Sequence, residues 1–135
     1  MEGLHEFKVL KKKLDHDTLH INANAGKISA EFTMYKYRDK DTRQIVCYIP
    51  SLELTGYGAD EVKAEEMLKF SVCDYFEYLH TLSAKKIQSE LLSLKWKKNT
   101  FKNKEFSVAH VDVTGKLKSL NAVGDKVERL SIKAA

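Results

Sequence analysis

One proline, two cysteines, one tryptophan and six glycines are all that 135 residues contain of these types. The scarcity of proline and glycine excludes a collagenous or low-complexity chain. Two cysteines cannot build a disulfide framework, and Cys47 and Cys73 are not in a metal-binding spacing. No apolar run approaches the roughly 20 residues of a membrane span. The N-terminal stretch MEGLHEFKVLKKKL has neither a continuous apolar segment nor a small-residue cleavage site, so it is not read as a secretory signal. The two cysteines are therefore expected to be reduced thiols and the location cytoplasmic.

What is present points to a single globular domain spanning residues 1–135. Hydrophobic residues make up 43% and charged residues 31%, enough to bury a core and keep a solvated surface. The net charge of +4, from 23 basic and 19 acidic residues, is too mild to define a nucleic-acid binder. Its distribution is uneven. Asp60, Glu61, Glu65, Glu66, Asp74 and Glu77 crowd one segment, whereas Lys95, Lys97, Lys98, Lys102 and Lys104 crowd another. An acidic and a basic region are expected, either as ordinary solvated faces or as docking surfaces.

Residues 27–37 alternate, with Ile28, Ala30, Phe32 and Met34 on one face. Arg38–Thr42 is a charged turn, and 43–49 a second strand, so the two form a hairpin. Leu19 and Ile21 mark a short strand before them, followed by a turn at Asn24-Ala25-Gly26. Pro50 ends the second strand because it brings no N–H to a ladder. Gly56-Tyr57-Gly58 is read as the turn into a helix, with Tyr57 either filling the seam between helix and sheet or standing exposed as a contact aromatic. Asp60 is the expected N-cap of that helix. Ala64, Leu68, Ser71, Val72, Tyr75 and Leu79 form its buried stripe, widened by Met67. Ser83 caps a shorter helix carrying Ala84, Ile87, Leu91 and Leu94. Beyond a basic loop at 97–104, Val108, Val111 and Val113 read as a strand, Thr114-Gly115 as a break, Gly124-Asp125 as a turn and 126–133 as a last strand. The expected class is α+β, with a small antiparallel sheet packed against one long and one shorter helix.

Pro50-Ser51-Leu52-Glu53-Leu54, then Gly56-Tyr57-Gly58, then a helix with Ala64 in its second turn and the aromatic end Tyr75-Phe76-Glu77-Tyr78-Leu79, resembles the HicB-like antitoxin family. The likeness covers roughly residues 28 to 104. It implies a core at 27–104 with about three strands backed by the long helix, a partial ribonuclease H-like fold, and a strand-rich extension at 105–135. It also implies a homodimer or tetramer and a partner: a small basic toxin that cleaves messenger RNA and is blocked sterically. Many such antitoxins end in a DNA-binding helical module. Here the segment after Lys104 reads as strands, so the resemblance does not extend to operator binding.

Chemistry-bearing constellations are sparse. Glu31 with Glu65 or Glu66 is a weak echo of a metal-dependent nuclease. His5, His16, His20, His80 and His110 stand in no zinc motif. No catalytic, metal or cofactor residue is assigned, and the chain is expected not to be an enzyme. Tyr57, Glu61, Glu65 and Glu66 are the expected partner-binding residues. The alternative is an RNA-binding or regulatory module using Lys95, Trp96, Lys97, Lys98, Phe101, Lys102 and Lys104, with lysines on phosphates and aromatics under bases.

Overall fold

A computed structural model describes residues 4, 6–22, 27–98, 105–108 and 120–135, with the backbone alone for 22, 97, 98, 105–108 and 125. The elements are β1 (Phe7–Leu10), β2 (Asp17–Asn22), β3 (Lys27–Asp39), β4 (Ile45–Ile49), β5 (Leu54–Gly58), α1 (Glu61–His80), α2 (Ala84–Ser93), β6 (Lys97–Lys98), β7 (Glu105–Val108) and β8 (Ala122–Ala134). The class is α+β. Among the described residues the sheet is open and antiparallel, with seven strands and the two-residue β6 at one margin. It is larger than the three or so strands that the family resemblance implied. The expected turn at 24–26, the break at 114–115, Val111, Val113, His5 and His110 lie outside the described residues.

β3 is the spine of the sheet. Along one edge it pairs with β8, from Ala30 opposite Ala134 to Tyr37 opposite Val127. Its other edge is shared. β2 takes the first half, from Asn22 opposite Lys27 to Thr18 opposite Glu31. β4 takes the second half, from Tyr35 opposite Tyr48 to Arg38 opposite Ile45. Neither reaches Thr33, and a side chain closes that gap. Asp17 Oδ1 accepts from the Thr33 N–H at 2.9 Å and from its hydroxyl at 2.7 Å. A buried backbone donor without such an acceptor would cost about 1–3 kcal/mol. β1 lies outside β8, β5 outside β4, and β7 outside β2.

Strand alternation gives the sheet two unlike faces. One carries Leu19, Ile21, Ile28, Ala30, Phe32, Met34, Ile45, Cys47, Ile49, Leu130 and Ile132, all buried. α1 lays Ala64, Leu68, Val72, Phe76 and Leu79 on it. Each large apolar side chain buried here contributes about 1.5–3 kcal/mol. Phe32 is central, with the rings of Phe76 and Trp96 edge-on at 6.2 and 6.3 Å. β8 contributes Leu130, Ile132 and Ala134 to this core. Asp60 caps α1 by accepting from the Lys63 N–H at 2.9 Å, and Ser83 caps α2 through the Lys86 N–H at 3.3 Å.

Three local readings of the sequence are corrected. The turn between β4 and β5 is Pro50–Glu53, with Glu53 at φ 55°, while Gly56 and Gly58 lie inside β5. These glycines are needed for close approach. A Cβ on Gly56 would lie 2.4 Å from Leu68 N and 2.5 Å from Ala64 O, and one on Gly58 2.6 Å from Lys63 Cβ. Gly124 is likewise within a strand, at φ +61°, where the β3–β8 register shifts between Tyr37 and Asp39. It makes a bulge, for which a left-handed glycine is suited. On α1, Met67 is exposed and Phe76 takes a place in the buried stripe.

Candidate functional site

The acidic start of α1 is organised by a lysine of the sheet. Lys36 is paired with Cys47, so its side chain emerges on the α1 side of the sheet. Its ammonium lies 3.5 Å from Glu61, 3.6 Å from Glu65 and 3.6 Å from Glu128 of β8. Burial pushes the ammonium down, and the three carboxylates outweigh it, holding Lys36 above its ordinary 10.5. Two of the acids expected to meet a partner are thus engaged within the chain. Glu66 is exposed, as is Asp74 further along the helix. Beside them stand Val62, 66% exposed, and Phe70, 71% exposed.

Tyr57 belongs to the opposite side. It pairs with Val46, which alternates with the core residues Ile45 and Cys47 and therefore points away from α1. Tyr57 is 49% exposed and does not fill the helix–sheet seam. Only its backbone turns toward the helix, where the Tyr57 N–H donates to Met67 Sδ at 3.4 Å. Tyr57 and Glu66 accordingly do not form one surface.

The expected RNA-contact residues are also separated. Trp96 is 1% exposed, and its indole N–H donates to the Ser51 carbonyl at 2.9 Å. A ring enclosed in this way cannot stack on a base. Lys95 is exposed, at φ 69°. Lys97 and Lys98 pair through the backbone with Ser107 and Phe106. Phe101, Lys102 and Lys104 lie outside the described residues.

Strand parity puts Glu31 on the face away from α1, so the sheet stands between it and the helix glutamates Glu65 and Glu66. A metal-binding carboxylate set drawn from these residues has no common side. Among the described residues no three His, Cys, Asp or Glu side chains converge as a metal site. His16, His20 and His80 are exposed. Burial pushes the Cys47 thiol up to about 12, far from a reactive thiolate. A shallow depression of about 190 Å³ at one end of the outer face is lined by Glu6, Thr18, His20, Ser29, Glu31 and Lys133. No helix of the described residues is long and apolar enough to cross a membrane.

Residue-by-residue reading of the sequence missed the outer face. There Tyr57, Val46, Tyr37 and Val127 form one cross-strand row, and Thr55, Tyr48, Tyr35 and Arg129 the next. The alternation of Tyr35 and Tyr37 with core residues was visible, but their alignment with Tyr48 and Tyr57 needs the register of both hairpins. No protein-family model, curated protein or solved structure matches the chain.

Proposed function

We propose that this chain is a non-catalytic protein-binding module that engages a basic partner through the exposed side of α1. Its likeness to HicB-like antitoxins makes that partner a small ribonuclease toxin, held inactive by steric cover. The observation that carries the reading is on the helix itself. Its inner side is wholly committed to the core, yet Val62 and Phe70 remain 66% and 71% exposed beside the exposed acids Glu66 and Asp74. Lys63 and Lys69 are exposed on the same helix, but large apolar groups in line with Glu66 and Asp74 suit a partner that offers apolar pockets rimmed by lysine or arginine. The order β3, β4, β5, α1, with a proline turn and two glycines before the helix, supports the antitoxin-like reading.

The test is a tagged pull-down from native extract, followed by a ribonuclease assay on what is retained. A stoichiometric small basic protein is expected. It should cleave RNA when freed and be silent when bound, and Phe70→Ala or Glu66→Lys should abolish its retention. A partner whose retention ignores both substitutions, or the absence of any retained protein, refutes the proposal.

A further inference from the structure

The outer face of the sheet has its own chemistry. In the row Tyr57–Val46–Tyr37–Val127, Tyr57 is half-exposed and the other three are half-buried, and Tyr48 of the adjacent row is half-buried as well. This is an aromatic and aliphatic strip crossing four strands, on the side that α1 does not cover. Tyr37 and Tyr48 are diagonal neighbours on it, since Tyr37 pairs with Val46 and Tyr48 with Tyr35 in the adjacent row.

One border of the strip carries three exposed lysines against one exposed acid, Asp15. β1 and β2 lie on opposite sides of the β8–β3 pair, so the connection 11–16 must cross the sheet. It does so on the outer face, where Arg129 Nη2 donates to the Leu14 carbonyl at 2.9 Å. Leu14 is buried against the sheet, while Lys11, Lys12 and Lys13 are all exposed. Tyr35, 1% exposed, lies at Arg129 and belongs to the floor. At the other border, the β3–β4 turn exposes Lys40 and Arg43. The acids there are occupied in part. Asp39 accepts from the amides of Asp41 and Thr42 and from the Asn121 side chain, which also bonds Asp41. The exposed helix acids Glu66 and Asp74 belong to α1, on the other side of the sheet.

We infer that this outer face binds single-stranded nucleic acid, with bases stacked on Tyr57, Tyr37 and Tyr48 and phosphates met by Lys11, Lys12 and Lys13. Flat aromatic rings on a sheet accept bases from any sequence, because every base has a π-face. Cations beside them supply the salt-sensitive part of the affinity. A duplex cannot use the strip, because its bases are already stacked on each other. The inference is independent of the α1 proposal, which uses the opposite face.

The experiment is fluorescence anisotropy with a labelled mixed-sequence RNA single strand of about 12 nucleotides, and with the matching duplex, at about 50 and 200 mM salt. The single strand should bind more tightly than the duplex. Tyr57→Ala should weaken it about tenfold, the size of one lost stacking platform. Tyr57 is half-exposed on β5, so this variant should keep the parent's circular dichroism. Replacing Lys11, Lys12 and Lys13 together by alanine should lower the slope of log affinity against log salt by about 2, at roughly 0.7 per phosphate. Phe70→Ala, on the other face, should change neither quantity. No binding by the folded protein at the lower salt, equal affinity for single strand and duplex, or indifference to Tyr57→Ala overturns the inference. So does loss of the pulled-down protein partner on Tyr57→Ala with RNA binding unchanged, since the strip would then be a protein surface.

Discussion

Gly56→Ala is a one-carbon change whose effect follows from three distances. The added Cβ would sit 2.4 Å from Leu68 N, 2.5 Å from Ala64 O and 2.8 Å from Leu68 Cα. All three are backbone atoms of α1, so no rotamer change relieves the contact. Ordinary packing needs about 3.5 Å between such atoms, so helix and strand must part by about 1 Å. That gap would open where Ala64 and Leu68 are fully buried. Overpacking typically costs 1–3 kcal/mol, and a clash with rigid backbone belongs at the top of that range, at about 3 kcal/mol. With a urea slope of about 2 kcal/mol per molar, the midpoint should fall by about 1.5 M. The measurement is equilibrium urea unfolding followed by circular dichroism. A shift below about 0.3 M would refute the close-approach argument. So would a particular ranking of substitutions. If Gly56 served a left-handed turn, asparagine would be the best-tolerated replacement. Close approach makes asparagine worse than alanine.

Further outcomes are expected elsewhere in the molecule. Lys36→Met leaves Glu61, Glu65 and Glu128 without their shared cation and should cost about 1–2 kcal/mol, a figure reduced for the solvent exposure of Glu61 and Glu128. Because the folded-state value of Lys36 is raised above 10.5, its contribution is whole at neutral pH and is lost as pH rises through that value. The stability gap between parent and variant should therefore be flat near neutrality and narrow only above 10.5, and a gap that widened there would contradict the pairing. Asp17→Ala strands the Thr33 N–H and hydroxyl in the interior and should cost about 2–3 kcal/mol in urea unfolding, with Asp17→Asn milder because one acceptor remains. Cys73→Ser should leave native protein that reacts with a thiol reagent only after unfolding, since Cys47 is buried with its thiol at about 12. Rapid native labelling of that variant would place Cys47 nearer solvent than the fold allows.

The sequence was most readable where one physical cause sets the pattern. The alternation through Ile28, Phe32 and Met34 survives intact in β3, and Asp60 and Ser83 cap the helices expected of them. It was least readable where a residue has two uses. Glycine serves both positive φ and close approach, and only the packed helix reveals that Gly56 and Gly58 serve the second. Tyr57 had two open readings, in the seam or exposed, because the facing of a strand residue depends on register, which local sequence does not fix when a proline turn precedes the strand. Trp96 stood among lysines in the sequence, yet its ring lies on Phe32, 64 positions away. The acids of α1 looked uniformly available until Lys36, a long way back along the chain, took two of them.

The central position of β8 sets a clock on biosynthesis. Phe32 and Ile132 are paired neighbours, and 100 residues separate them along the chain. At about 5–20 residues per second, the open edge of β3 waits between five and twenty seconds for its partner strand to be made. Throughout that interval an apolar strand presents unpaired amides and carbonyls to other nascent chains. Such long-range pairing also slows the final closure, since loop entropy must be overcome before the ladder returns any energy. Yield in the cell should accordingly depend on translation rate and chaperone supply more steeply than the equilibrium stability of the finished sheet would indicate.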